Sequence, residues 1–343
     1  MSLEMSLEIN HSRGQGLLNY FQSRRAAVLK LTRELVEQES PSGDLEGSRA
    51  VAELLTRAAA GHSAIDSVER IPAAGDYGEH LLVRAFGGDA KTERTTLIIG
   101  HTDTVHPRGS LRERPWREEE GKIYGPGIFD MKASCALAFE ALRACAELSL
   151  RPSRSVVLLL TCDEEEGSHS GRALVEAEAR RAAHVLVLEP PAPGGKVKTE
   201  RKGTGHFVLT VEGRAAHAGL EPEKGVSAIL EIARQVERLH ALNDFANGTT
   251  VNVGLLSGGT VSNVVAAAAR AEIDVRFKSL QQAEAIGDAI LNLRPYDERA
   301  VINVAGGINR PPMERTAEVA ALYERARAIA AALDFELGEA SVG

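Results

Sequence analysis

The sequence predicts an α/β protein of about two domains, and three observations support this prediction. The chain has 343 residues, more than the roughly 150 of an average domain, with 43% hydrophobic and 26% charged residues, as is typical of globular proteins. Short apolar segments alternate with helical segments as far as residue 188, which predicts a mixed, mostly parallel sheet flanked by helices. A βαββαβ series then follows, the ferredoxin-like arrangement.

The helices of the first half are predicted from apolar residues that recur at helical spacing, as Leu17, Phe21, Leu31 and Leu35 do. They cover residues 16–39, 45–60, 131–148 and 171–181. The strands are predicted at residues 80–86, 95–100, 155–161 and 183–188. The last three of these are almost unbroken apolar runs, which is typical of strands that are buried on both faces.

The second half changes pattern after the glycine pair at residues 194–195. Strands are predicted at residues 205–214, 249–258, 269–277 and 299–306, and helices at residues 225–242 and 280–293. A further helix is expected at residues 314–333. We therefore predict an inserted domain at residues 201–311, within a first domain made of residues 11–200 and 312–343. Residues 1–10 repeat Met-Ser-Leu-Glu, which we interpret as a cloning remnant.

Charge and cysteine content exclude several classes of protein. The formal net charge of −8 argues against a nucleic-acid-binding protein, which needs a basic face. Cys135, Cys145 and Cys162 form no C-x-x-C pair, so free thiols in a reducing cytoplasm are expected. No apolar run reaches the roughly 20 residues of a membrane span. We therefore expect a cytoplasmic protein without nucleic-acid or membrane partners.

Acidic and histidine side chains follow successive predicted strands. They are His101 with Asp103, Asp130 in the loop of residues 125–132, Glu164 with Glu165, and Glu189. Each alone is most simply a solvated loop residue or a helix cap. Ligands of open α/β sheets bind at the carboxyl edge, however, and gathered carboxylates repel one another. Their combination therefore predicts a metal site, for which histidine and carboxylate are suitable ligands.

The motifs GHTDTV at residue 100, GPGIFDMK at residue 125, DEEEGS at residue 163 and LEP at residue 188 resemble those of the M20 family. These are dinuclear zinc aminoacylases and carboxypeptidases. The resemblance covers nearly all of residues 16–343. It implies a zinc-exopeptidase-like fold, a lid domain that forms a homodimer, and two bound Zn²⁺ ions, with Co²⁺ or Mn²⁺ as alternatives.

The same resemblance implies a role for each motif residue. Asp103 orients His101, Glu164 is the general base, and the peptide bond between Asp130 and Met131 is cis. The implied metal ligands are His101, Asp130, which bridges both ions, Glu165 and Glu189.

The lid domain supplies a second set of implied residues. His217 matches the family histidine that crosses the dimer as an oxyanion donor, and Asn263 matches the asparagine that assists it. Arg310 lies where carboxypeptidase-like members hold the substrate carboxylate, which guanidinium can bind bidentately. Each of the three would otherwise be read as a surface polar residue.

One family feature is missing from the sequence. A C-terminal histidine should complete the metal site of Glu165, but no histidine follows Leu333. We expect that a C-terminal segment is lacking, and that this form binds metal weakly at Glu165 and has little activity.

The expected function is cleavage of a peptide or N-acyl amino acid bond. The preferred reaction is carboxypeptidase-like release of a C-terminal amino acid such as glutamate. The alternatives are an N-acyl-amino-acid deacylase similar to acetylornithine deacetylase, and a non-catalytic binding relative if the terminal histidine is truly absent.

Overall fold

The computed structural model describes residues 11–89 and 93–343, so the predicted cloning remnant lies outside the described residues. These residues form two compact units. The first contains the residues up to Pro190 together with Ala332–Phe335, and the second contains Pro191–Ala331 and Glu336–Gly343. Within the described ranges, every helix is too short or too polar to cross a membrane.

The first unit combines helices with a central sheet. Its helices are α1 (His11–Glu37), α2 (Leu45–Ala59), α3 (Ser110–Glu113), α4 (Ala133–Glu147) and α5 (Arg172–Arg181). Its strands are β1 (Ile65–Pro72), β2 (Glu79–Ala85), β3 (Thr95–His101), β4 (Arg117–Glu119), β5 (Lys122–Tyr124), β6 (Val156–Thr161) and β7 (Ala182–Val187).

The central sheet has five strands in the order β1-β2-β6-β3-β7. Strand β3 runs parallel to both β6 and β7, whereas β1, β2 and β6 are joined by antiparallel pairings. The predicted mixed sheet flanked by helices is thus confirmed, with as many antiparallel as parallel pairings. Strand β1 was not predicted, because this edge strand carries mainly polar and half-exposed residues and lacks the apolar run of a central strand.

Both faces of this sheet are buried, as the apolar runs predicted. Leu158 and Leu160 of β6 pack with α1, α2 and α4 on one face. Val157 and Leu159 point to the opposite face, where α5 packs. Alternate side chains of β6 therefore contribute to two hydrophobic cores, one on each face of the sheet. Strand β7 was also expected to be buried on both faces, but that prediction is wrong. It lies at the edge of the sheet and is less covered, with Val185, Leu186 and Val187 each more than a third exposed.

The second unit contains the predicted βαββαβ series. Its elements are β8 (Val197–Arg201), β9 (Gly203–Glu212), α6 (Ala228–His240), β10 (Thr250–Gly258), β11 (Ala268–Phe277), α7 (Leu280–Leu291), β12 (Val301–Arg310), α8 (Ala317–Ala332) and β13 (Glu339–Val342). The strands β10-β11-β9-β12 form an antiparallel sheet in that order. Phe207, Leu209 and Val211 alternate inward along β9, where they pack against α6 and α7.

The helices of this second unit begin where side chains satisfy their free N–H groups. The Ser227 side chain accepts a hydrogen bond from Leu230 N at the start of α6. Ser279 and Gln282 form a reciprocal capping box at the start of α7. These local signals explain why the observed helices begin within three residues of their predicted starts.

The compact units divide the chain at other positions than the predicted domain boundaries. The first division falls after Pro190, and residues 336–343 group with the second unit. The reason for the second difference is that β13 pairs in parallel with β8. This pairing joins two short segments that are distant in sequence, so neither strand was predicted.

The sheet of the first unit brings several strand ends to one edge. His101, the last residue of β3, lies opposite Thr161, the last residue of β6. Leu188, just after β7, donates its N–H to Ile99 of β3 at 2.9 Å. The loops that carry the acidic motifs therefore start beside one another.

Candidate metal centre

The predicted metal ligands of the first unit lie together at this edge. His101, Asp130 and Glu165 offer ligand atoms that lie within 4.8 Å of one another. His101, Glu164 and Glu189 do the same. The structure therefore gathers five of the six side chains that the strand-end motifs singled out, and His101 belongs to both sets.

His101 is held with one nitrogen toward the protein and the other toward the acidic cluster. Its Nδ1 lies 3.0 Å from the backbone oxygen of Asp103 and 3.4 Å from that residue's carboxylate. Its Nε2 lies 3.0 Å from Asp130 Oδ1 and 3.5 Å from Glu189 Oε1. With Nδ1 turned to Asp103, Nε2 is the nitrogen available for a metal ion.

The cluster strongly favours positive charge at its centre. Burial by itself would lower the pKa of His101, but Asp103 and the charges of Glu189 and Glu164 raise it to about 10. Conversely, burial raises the pKa of Glu165, and the neighbouring carboxylates add to that effect while His101 opposes it. A bound cation would relieve this repulsion between carboxylates.

Asp103 connects the two loops of the cluster. It is 2% exposed and accepts hydrogen bonds from Ser42 Oγ at 2.6 Å and from the amides of Glu164 and Glu165 at 3.2 and 3.1 Å. Although burial would raise the pKa of Asp103, the hydrogen bonds from His101 and Ser42 hold it below its usual value. One ionised carboxylate thus fixes His101 and the backbone of the Glu164 loop.

The loop that carries Asp130 is held in place by the buried residues that follow Asp130. The peptide bond between Asp130 and Met131 is cis, as the family resemblance implies, and the Met131 side chain is fully buried. Lys132 is 2% exposed, and its Nζ donates to the backbone oxygens of Leu35 and Gln38 at 2.9 and 2.6 Å. The Asp130 side chain itself is about half exposed, with 49% accessible.

The residues present fit a divalent metal ion. One imidazole nitrogen and several carboxylate oxygens converge on one place, which is the donor set that Zn²⁺ accepts in catalytic sites. The same donors also suit Co²⁺ and Mn²⁺. The position of His101, with Asp103 behind it, is the usual support of a metal-binding histidine.

The three predicted substrate-contacting residues lie in the second unit. Residues 216–218 run beside residues 263–265, where Ala218 N donates to the backbone oxygen of Asn263 at 3.0 Å. The exposed His217 and Asn263 therefore lie on adjacent segments, as their predicted cooperation requires. Arg310 ends β12, opposite Thr204 of β9.

Sequence reasoning missed several supporting residues. Ser42 and Ser170 belong to no predicted motif, and His80 is only the first residue of a predicted strand. Ser42 lies 61 residues from Asp103, and His80 lies 90 residues from Ser170. No motif spacing reports hydrogen bonds over such separations, because they depend on the tertiary fold.

Comparisons with known proteins agree with this fold. The family pattern of the M20 peptidase dimerisation domain matches residues 199–294, and that of peptidase family M28 matches residues 82–218. Carboxypeptidase G2 of Pseudomonas sp. (strain RS-16) is 33% identical over 276 residues, which are 80% of this chain and 64% of that protein. This chain therefore spans less than two thirds of the length of carboxypeptidase G2.

Two further relatives extend the comparison. The aminopeptidase PepT of Bacillus cereus ATCC 10987 shares the fold, with a TM-score of 0.74 and 23% identity over 92% of this chain and 84% of that one. Succinyl-diaminopimelate desuccinylase of Ruegeria pomeroyi is 30% identical over 275 residues, or 71% of this chain and 70% of that protein. Together with the dimerisation-domain match, this similarity shows that the chain belongs to the M20 peptidase family.

Proposed function

We propose that this chain forms the catalytic centre of a dinuclear zinc-dependent hydrolase that cleaves an amide bond. The observation that carries the proposal is the convergence of His101, Asp130, Glu164, Glu165 and Glu189 at one sheet edge. His101 and Glu189 would hold one ion, Glu165 the other, and Asp130 would bridge them. When bound, such ions lower the pKa of water and polarise the scissile carbonyl.

Glu164 is the proposed general base. Its amide is fixed by Asp103 at 3.2 Å, and its carboxylate belongs to the cluster around His101. It would take a proton from the attacking water and then pass that proton to the leaving amine. In this scheme Asp103 positions both the histidine and the base.

A second copy of the chain would complete the site through its lid. Five apolar side chains are exposed at the start of α6, on the edge strand β10 and just after it, and we call them together the lid patch: Ile229, Leu230, Leu255, Leu256 and Val261. Ile229 on α6 lies beside Gly258 and Gly259 at the end of β10, and β10 is an edge strand of its sheet. An apolar patch beside an open strand edge fits a second copy of the same surface.

The partner copy would contribute His217 to the reaction. Its imidazole would donate a hydrogen bond to the oxyanion that develops at the scissile carbonyl, and Asn263 would assist it. Arg310 would bind the carboxylate of the substrate through its guanidinium group.

The preferred reaction is carboxypeptidase-like release of a C-terminal amino acid such as glutamate. Arg310 and the similarity to carboxypeptidase G2 support this substrate class. The similarity to a desuccinylase favours the second candidate, hydrolysis of N-acyl amino acids. We place the reaction in the cytoplasm, in keeping with the free thiols of Cys135, Cys145 and Cys162.

The test is hydrolysis of a substrate panel by the full-length protein. Acyl-glutamates, other N-acyl amino acids and dipeptides would be supplied with Zn²⁺ or Co²⁺, and again after chelation, with Glu164→Gln as the control. Cleavage that is lost on chelation and in the variant supports the proposal, and the best substrate selects the branch. Failure to bind a second ion, together with no cleavage of any substrate, would instead favour a non-catalytic binding relative.

A further inference from the structure

A buried histidine, His80, lies at the same sheet edge but is not part of the metal cluster described above. It is the second residue of β2, which runs antiparallel to β6, so that β2 starts where β6 ends. His80 is 2% exposed. Its Nδ1 accepts a hydrogen bond from Cys162 N at 3.3 Å, and its Nε2 lies 3.1 Å from Ser170 Oγ.

These contacts fix the protonation of His80. Burial lowers the pKa of His80, although the charges of Asp163 and Asp103 oppose that shift, so the ring is neutral near pH 7. A neutral ring carries one N–H. Because Nδ1 accepts from a backbone amide, the proton lies on Nε2 and is donated to Ser170.

Ser170 connects His80 to Asp163 through hydrogen bonds. Its hydroxyl donates a hydrogen bond to Asp163 Oδ2 at 2.8 Å. Asp163 Oδ2 also accepts hydrogen bonds from the backbone amides of Ser170 at 2.5 Å and Gly171 at 3.1 Å. Asp163 is fully buried. The side chain of Asp163 thereby closes the loop of residues 163–171 onto the start of α5.

Glu164 and Glu165 directly follow Asp163 in this closed loop. Their amides are held by Asp103 on one side, and Asp163 is held through Ser170 on the other. Two turns add to the closure, from Gly167 N to Glu164 O and from Ser168 N to Asp163 O, both at 2.8 Å. A change at His80 therefore reaches the backbone of Glu164 through two hydrogen-bonded residues, Ser170 and Asp163.

The direction of these hydrogen bonds excludes a nucleophilic triad. In a catalytic triad the serine donates to the histidine, and the histidine donates to the aspartate. Here the histidine donates to the serine, and the serine donates to the aspartate. Burial also raises the pKa of the neighbouring Cys162 thiol to about 12, so this residue is not a thiolate nucleophile.

We propose that His80 and Ser170 are positioning residues that act through Asp163 to hold Glu164 and Glu165 at the metal centre. The proposal rests on the proposed role of Glu164 as general base. The network does not touch the substrate, so its loss lowers turnover rather than substrate binding.

The chain offers a matched control in His62. This histidine is 4% exposed, accepts a backbone amide from Ala64 at Nδ1, and has its Nε2 3.1 Å from the backbone oxygen of Phe139. Its hydrogen bonds thus have the same pattern as those of His80, but they end on α4. His62→Leu and His80→Leu each remove a buried imidazole ring, but only His80→Leu removes the hydrogen bond to Ser170.

The experiment measures backbone hydrogen exchange of residues 162–171 in the metal-free protein, and kcat and KM in the zinc-loaded protein. For Ser170→Ala and His80→Leu we expect about tenfold faster exchange in this loop and about tenfold lower kcat, with KM nearly unchanged. A tenfold change corresponds to about 1.4 kcal/mol, the loss of one hydrogen bond. His80→Gln, which retains a donor at the Nε2 position, should recover most of both losses, and His62→Leu should show neither.

Two results would overturn the proposal. One is exchange in residues 162–171 that stays unchanged in Ser170→Ala and His80→Leu. The other is the same effect in His62→Leu, which would mean a general loss of stability. The exchange measurement requires no turnover, so it decides the positioning role even if the panel of substrates shows no hydrolysis and the proposed function fails.

Discussion

Asp103→Asn changes one atom of a residue on which both halves of the metal centre depend. The Oδ1 atom of Asp103 accepts a hydrogen bond from the backbone amide of Glu164 and lies 3.4 Å from His101 Nδ1. Its Oδ2 atom accepts hydrogen bonds from Ser42 Oγ and from the backbone amide of Glu165. Asparagine has one acceptor oxygen, so its NH₂ group must face donors on one of the two sides.

The size of the effect follows from these contacts. At least two hydrogen bonds to a charged group are lost, each contributing about 1.5–3 kcal/mol. The free energy of unfolding should therefore fall by about 3 kcal/mol or more. His101 also loses its charged support, and a change of this kind lowers metal affinity by about 10- to 100-fold.

The assay is competition between the protein and a chromophoric chelator for Zn²⁺, together with urea unfolding of the metal-free protein. Asp66→Asn is the control, because Asp66 also accepts a backbone amide, that of Gly87, but lies outside the cluster. Zinc affinity of Asp103→Asn within about threefold of the unchanged protein would refute the reasoning.

Three further predictions follow from the same contacts. Glu164→Gln should lower kcat by at least about a hundredfold while zinc binding persists, as measured by hydrolysis and metal analysis; a variant with unchanged kcat would remove Glu164 as the base. Leu256→Arg should convert a dimer to a monomer in light scattering, and a dimer that survives would place the interface elsewhere than the lid patch. Burial would raise the pKa of Glu140, yet hydrogen bonds from Arg24 and Tyr20 hold it below its usual value. The resulting stabilisation is present above the unfolded pKa of about 4.3 and is lost as pH falls through the folded value. Arg24→Ala should therefore cost about 1–2 kcal/mol near pH 7 and less near pH 3 in urea titrations; an equal loss at both would contradict this.

The parts of the fold that the sequence predicts are those with strong local signals. The apolar runs of β3 and β6 and the capped helices α6 and α7 need no knowledge of distant residues. The strands β1, β8 and β13 lack such signals, because they are edge or isolated pairings whose stability comes from segments far away in the chain. Periodicity cannot report a pairing that only the tertiary fold creates.

The residues of the candidate site likewise fall into those that the sequence could predict and those that it could not. His101, Glu165 and Glu189 could be grouped from sequence because each follows an apolar strand, and parallel neighbours end at one edge of a sheet. The hydroxyl of Ser42 and the imidazole of His80 could not be assigned. The hydrogen bond of Ser42 depends on side-chain rotamers, and that of His80 depends also on the pairing of β2 with β6.

The outer edge of β7 has a consequence for how this protein behaves at high concentration. Among the described residues, β7 pairs only with β3, and Val185, Leu186 and Val187 are exposed beside the unpaired backbone. A strand edge with apolar side chains is a template for β-pairing with another chain. Self-association through β7 would give chains joined by their first units, whereas the lid patch would join their second units. At high concentration, samples should therefore grow into open assemblies when both surfaces are engaged, and a lid-patch variant that is a monomer in dilute solution should then form only discrete pairs joined through β7.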